Sequence, residues 1–367
     1  MHLNIIVFLT LFFGLCFIVS GDYLKCPAQK GAAFTRGYEA YIFLSFLIFF
    51  VAFYVLRDFS YAHDTSAYVS VYNQIALRMN SITEHNIARG WERGFIILLY
   101  LLSRISDNAR FFLFAVSCLI YGSFLRFIFQ CNALTSEKNV IYSVMLFVLH
   151  GTFFSSTNLM RQFLATSIIL YSYMYLADKK YMRFYALVLL AFLFHSTAII
   201  CIMLPFVRLF KPTKKFVRLY LLGIILLVVF GVKILEIGVH IIAPRYEGYL
   251  NSAMYGIQNA AKLGPLLNLG VGGLLLILFY KNLDLNNRIQ VLLFEIFMAG
   301  LVFTAMSAKF TQIGRISGYF FPAALPLFAM ARKDGLFYFS LFSLTGYCLV
   351  VNIFRPEWTA FFPYHFA

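Results

Sequence analysis

Five polar groupings interrupt an otherwise apolar chain, and their residue types suit anion binding and proton transfer. An ionisable side chain inside a spanning segment costs on the order of 2.5 to 3.5 kcal/mol, so each one calls for a reason. In the run from Ser156 to Ala165, the residues Asn158, Arg161 and Ala165 follow i, i+3, i+7 spacing and would share one face of a continuous helix. An arginine near a helix start, followed by Gln162, presents a planar fork suited to phosphate or carboxylate. Snorkelling to the lipid headgroups is the structural alternative for Arg161. His195 stands in Phe194-His195-Ser196-Thr197, with apolar residues before it and hydroxyls after it. Histidine can take and return a proton near neutral pH, although a lone buried histidine also serves simply as a satisfied structural donor.

The stretch from Ala243 to Tyr249 offers Arg245 with Tyr246 and Tyr249, a set fit for a sugar diphosphate or for headgroup anchoring. Arg315, in Gly314-Arg315-Ile316-Ser317-Gly318-Tyr319, is a further arginine at a helix entrance. The long connection from 57 to 93 carries Arg57, Asp64, Tyr68, Tyr72 and Glu92. Tyr68 and Tyr72 lie one helical turn apart and would form an aromatic wall beside the Asp64 carboxylate. That arrangement suits sugar binding or base catalysis, with a solvated loop acid as the plain alternative. Glu295, isolated in Leu292-Leu293-Phe294-Glu295-Ile296, has no evident partner and no assigned role. Phosphate-binding glycine loops, HExxH, GxSxG and EF-hand patterns are all missing from the sequence, which argues against ATP-driven transport and zinc proteolysis.

The elements that must position these groups are membrane helices. Of 367 residues 62% are hydrophobic and 12% charged, whereas soluble proteins run near 25% charged. A net charge of +15 on so apolar a chain points to cytoplasmic loops, anionic lipid or a phosphorylated substrate rather than to nucleic acid. The six cysteines show no CxxC spacing, so neither a disulfide framework nor a zinc site is expected. Apolar runs recur from residue 3 to residue 354, enough for about twelve spans of about 20 residues. The expected fold is therefore all-α, a single polytopic transmembrane domain over 1–367 with two outer loops, 57–93 and 243–264. The basic linker between the first two helices places itself in the cytoplasm. The run from 183 to 206 is harder, because Lys179, Lys180 and Arg183 precede it and Arg208, Lys211, Lys214 and Lys215 follow it. Either it is a broken or re-entrant helix pair with His195 at its tip, or it is one span with a basic outer loop.

Taken in order, Arg57, His63-Asp64, Tyr68 and Tyr72, then Glu92 with Gly94-Phe95, then Asn158, Arg161-Gln162 and Ala165, then Phe194-His195-Ser196, then Arg245-Tyr246 and Tyr249, then Arg315 with Tyr319-Phe320, the pattern resembles the EpsG-like branch of the bacterial O-antigen and capsule polymerases (Wzy). The resemblance covers roughly residues 40 to 330. One departure is Ala62-His63-Asp64, where the family loop usually has Gly-x-Asp.

The resemblance implies a GT-C-like glycosyltransferase of the bacterial inner membrane, with short or broken helices around an outward-facing cavity. It would join oligosaccharide units carried on undecaprenyl diphosphate, with no nucleotide sugar, metal or other cofactor. Arg161, Arg245 and Arg315 would hold the diphosphate and His195 or Asp64 would accept the proton. Gln162, Tyr249, Arg57, Tyr68 and Glu92 would line the substrate. A chain-length regulator and a flippase are the partners it implies. A lipid-oligosaccharide flippase and an intramembrane O-acyltransferase are the competing readings. The first would predict paired half-helices around a central site, and the second would leave the arginines at helix ends without a task.

Overall fold

Helix ends are set by side chains that replace missing backbone partners. Asn108 accepts from the Arg110 N–H at 2.8 Å, Asn287 accepts from Ile289 and Gln290 at 3.1 Å, and Asp334 accepts from Leu336 and Phe337 at 3.1 Å. Each is a polar N-cap just before an apolar run. The computed structural model describes residues 2–24, 32–59, 63–78, 90–133, 140–209, 211–242, 263–308 and 313–351, and every regular element among them is helical. In chain order these are α1 (His2–Leu24), α2 (Ala32–Val55), α3 (His63–Arg78), α4 (Arg93–Ser103), α5 (Ala109–Asn132), α6 (Val140–Leu149), α7 (Thr152–Asn158), α8 (Met160–Ala177) and α9 (Tyr181–Phe192). A 3-10 stretch (Ser196–Leu209) follows, then α10 (Lys214–Ile242), α11 (Leu263–Lys281), α12 (Arg288–Ser307), the single turn α13 (Gly314–Ser317), α14 (Ala324–Met330) and α15 (Gly335–Leu349).

Four of these helices are long and apolar enough to cross a membrane: Gly37–Val55, Ala109–Asn132, Gly264–Lys281 and Arg288–Ser307. The pair α6 and α7, bent by 57° at its break, makes five if it counts as one span. The twelve expected from apolar runs are not reached among the described residues, because several runs form shorter helices, such as Arg93–Ser103, Tyr181–Phe192 and Gly335–Leu349. Lipid is as apolar as the side chains, so helices in a bilayer are held by packing contacts rather than by exclusion of water. Here aromatic rings supply them. Phe50 on α2 meets Tyr121 on α5, Phe147 on α6 and Phe153 on α7 with centroids 5.1 to 5.5 Å apart, within the range of favourable ring pairs. Phe17, Ile48, Met182 and Phe342 stay exposed, as residues on a lipid-facing surface would.

Three local features position the polar groups. First, the chain breaks twice around α7: at Gly151, whose φ of +84° favours glycine, and at Leu159 (φ −87°, ψ 50°). The continuous helix expected to put Asn158, Arg161 and Ala165 on one face is thus corrected. Asn158 ends α7 and Arg161 opens α8. Second, the connection from 57 to 93 is not all loop: it contains α3, which packs on α4, α5 and α7. Third, the run from 183 to 206 is broken at His195, with α9 and the 3-10 stretch packed against each other and both against α8. The Arg208 guanidinium donates to the Leu176 carbonyl near the end of α8 at 3.2 Å, so the chain has returned to the end it left. Both basic flanks of that run therefore lie at one end of the bundle, which removes the difficulty that a single span would raise.

Candidate functional site

At the other end of α8, four chain segments meet around one carboxylate. Glu92 is the N-cap residue of α4, yet its side chain caps nothing. Its Oε2 accepts from the Arg161 Nη1 at 2.7 Å, while its Oε1 accepts from the Ser196 backbone N–H at 2.9 Å and lies 3.2 Å from His195 Nδ1. Arg161 stands in the first turn of α8, and His195 and Ser196 at the junction of α9 with the 3-10 stretch. Partial burial raises the Glu92 pKa, but the His195 and Ser196 hydrogen bonds and the Arg161 charge outweigh it and bring the carboxyl from 4.5 down to about 2. The Arg161 guanidinium also lies 5.0 Å over the Trp91 ring and 6.0 Å from the centre of Tyr68, a distance at which ring and cation attract. Glu92, Arg161 and His195 keep 15 to 22% of their side-chain surface open, so a substrate group can reach them.

Backbone contact fixes this cluster as firmly as the charges do. The Gly94 N–H donates to the Leu193 carbonyl at 2.9 Å, and a Cβ on Gly94 would stand 2.6 Å from that oxygen. The start of α4 and the end of α9 therefore touch at a distance that only glycine permits. Behind them, Thr197 and Tyr319 share a hydroxyl–hydroxyl hydrogen bond at 3.0 Å, and the Tyr173 hydroxyl donates to the Tyr319 carbonyl.

The remaining expected residues fall into three groups. Tyr68 joins the cluster, and Asp64 lies one turn earlier on α3, its backbone N–H donating to Asn158 Oδ1 at 3.0 Å. Gln162 is buried and donates through Nε2 to the Arg315 carbonyl, which ties Arg315 to the start of α8. The aromatic wall of Tyr68 and Tyr72 is corrected: Tyr72 is fully buried, stacked on Phe112 at 5.0 Å. Arg57 is likewise fully buried, its guanidinium 4.1 Å over the Tyr54 ring and its carbonyl accepting from Arg110 at 2.6 Å, a place inside the helix packing. Arg245, Tyr249 and most of the 243–264 connection lie outside the described residues. Trp91 and the Ser196 N–H escaped sequence reasoning; for Trp91 the available signal was its rarity, as one of two tryptophans in the chain. Among the described residues, no three His, Cys, Asp or Glu side chains gather as metal ligands would.

A carboxylate that orients a histidine and anchors an arginine can do two things at once. It stabilises an imidazolium after proton uptake, and it aims a guanidinium at a developing anion. Neither a curated protein nor a solved structure matches the chain. The EpsG family model matches residues 40–366, and the chain belongs to the EpsG family of polysaccharide-polymerase-like membrane proteins.

Proposed function

We propose that this protein is a surface-polysaccharide polymerase, a glycosyltransferase that joins undecaprenyl-diphosphate-linked oligosaccharide units at the outer face of the bacterial cytoplasmic membrane. The observation that carries the reading is the single carboxylate of Glu92 holding both Arg161 and His195. With Nδ1–H directed at Glu92, His195 takes a proton at Nε2. A hydroxyl of the acceptor unit attacks the anomeric carbon of the donor unit, and the new carbon–oxygen bond forms as the hydroxyl proton passes to Nε2. The bond from the anomeric carbon to the diphosphate oxygen breaks, and its electron pair leaves with the lipid diphosphate, whose charge faces Arg161. One of the five guanidinium N–H groups serves Glu92, and others remain for diphosphate oxygens. His195 is the favoured base over Asp64, because Glu92 orients its ring.

The arrangement of charge supports the outward placement. Lys179, Lys180 and Arg183 sit at the far end of α8 from Arg161, and Arg208 returns to that same end. Lys281, Arg288 and Lys333 mark the ends of α11, α12 and α14, with α12 running from Arg288 toward Ser307, which lies beside Gly314 in the Arg315 turn. A basic end is a cytoplasmic end, which leaves the Glu92 cluster facing outward. Membrane lipids bathe the apolar faces, and a flippase and a chain-length regulator are the expected partners.

The test is a glycan ladder from host cells lacking the gene and complemented with variants. Deletion should leave a single repeat unit, and wild type should restore the ladder. Arg161→Ala should lower polymerisation by about 100- to 1000-fold, as loss of a charge-stabilising donor does, and Arg161→Lys should also fail because a point charge cannot replace the fork. His195→Ala should lower the rate by about 100-fold or more, with Asp64→Asn as the parallel test of the other candidate. A full ladder in Arg161→Ala overturns the reading. Long chains lacking an acyl group on gene deletion would show an acyltransferase, and no repeat unit at the outer face a flippase.

A further inference from the structure

Beside the first turn of α8, on the Gln162 side, lies a second polar cavity of about 160 Å³. Its wall is made where the α6–α7 span breaks, and irregular backbone at membrane depth is tolerated where it lines a cavity. His150, the last residue before Gly151, stacks on Phe321 with centroids 3.4 Å apart, and its Nε2 lies 2.9 Å from Asn268 Oδ1 on α11. Thr152, Ser155 and Ser317 add hydroxyls, and Arg315 adds a guanidinium. Gln162 is 3% exposed and its Oε1 has no hydrogen-bond partner among the described residues, so a buried acceptor is left to be satisfied, at a cost unless a ligand or water supplies a donor.

We propose that this cavity is a sugar subsite that takes one ring of the acceptor oligosaccharide, a reading that rests on the polymerase function argued above. Its donors and acceptors are mostly neutral amides, hydroxyls and one imidazole, which match sugar hydroxyls. Aromatic rings, Phe321 and Tyr347, supply apolar wall. Its volume is that of a single sugar ring, not of a repeat unit. The two sites are one residue apart on α8: Arg161 serves the Glu92 cluster and Gln162 borders the cavity. Gln162 also holds the Arg315 turn through its carbonyl, and Tyr319 of the same segment bonds Thr197 beside Ser196. A sugar held by His150 and Asn268 would thus be seated against the segment that backs His195.

The probes are the phosphate-free repeat-unit oligosaccharide, cleaved from the host glycan, and inorganic diphosphate. Each is titrated into the purified full-length protein in lipid nanodiscs, with saturation-transfer NMR reading the oligosaccharide and tryptophan fluorescence, through Trp91, reading the diphosphate. His150→Ala and Asn268→Ala should weaken oligosaccharide binding at least tenfold and leave diphosphate binding unchanged. Arg161→Ala should do the reverse. Ser155→Ala removes one cavity hydroxyl without touching the His150–Asn268 pair, and should weaken the oligosaccharide severalfold with wild-type melting. No oligosaccharide binding by wild type, or unchanged binding in all three cavity variants, overturns the proposal; so does loss of diphosphate in place of sugar. A full ladder in Arg161→Ala would instead sink the polymerase reading while leaving the binding result to stand.

Discussion

At the residue scale, Glu92 is the group on which the site depends. Its carboxylate accepts from three donors on two other segments, which is why its pKa falls to about 2 despite partial burial. The sign of the linkage follows. A carboxyl held below its unfolded value adds stability that is complete above pH 4.5 and is lost as pH falls through that value toward 2. Glu92→Gln keeps the size of the side chain and abolishes the titration. Melting in detergent should therefore show the variant less stable than wild type above pH 4.5, with the gap closing as the pH drops; a gap independent of pH would exclude Glu92 as the titrating group. Polymerisation should be lost in Glu92→Gln at neutral pH, because a neutral amide neither orients His195 as an acceptor nor balances Arg161. The sequence made Arg161 and His195 legible through their cost in an apolar setting. Glu92 entered only through the family resemblance, as a residue lining the substrate, since nothing in one dimension shows that a carboxylate at 92 meets residues 161 and 195.

At the scale of elements, the site exists because helix ends are pressed together. Gly94 on α4 and Leu193 at the end of α9 are in backbone contact, and any side chain at 94 must push them apart. Gly94→Ala should cost about 1 to 3 kcal/mol, as overpacking does, and should lower the ladder far more than it lowers protein in the membrane. A normal ladder would mean that the spacing of α4 and α9 does not govern the chemistry. The helix content, the break at His195 as one of two readings, and the unusual 57–93 connection were all legible from apolar periodicity and polar interruptions. Three features were not. The break at Leu159 carries no proline or glycine, and it is stabilised by tertiary contacts such as Asn158 with the Asp64 N–H. The burial of Tyr72 depends on Phe112, far along the chain. The shorter helices behind the reduced span count have apolar composition like that of true spans, so length of helix, not hydropathy, separates them.

For the whole molecule, sidedness decides what the Glu92 cluster can meet. α8 has 18 residues, about 27 Å at 1.5 Å per residue, close to the thickness of a bilayer core. Arg161 and Asp178 thus stand at opposite ends of α8, and the hairpin of α9 with the 3-10 stretch returns Arg208 to the Asp178 end. The polymerase proposed above requires the Glu92 cluster to face outward and the Lys179–Lys180 end to face the cytoplasm. Single cysteines at Ser66 on α3 and at Asp178, both exposed, in a chain whose own cysteines are replaced by alanine, test this directly. Ser66→Cys should react with a membrane-impermeant maleimide in spheroplasts, and Asp178→Cys only after the membrane is opened. The reverse pattern would turn the Glu92 cluster toward the cytoplasm, where no polymerase of outward-facing units could use it, and labelling of both from outside would mean that α8 does not cross the membrane.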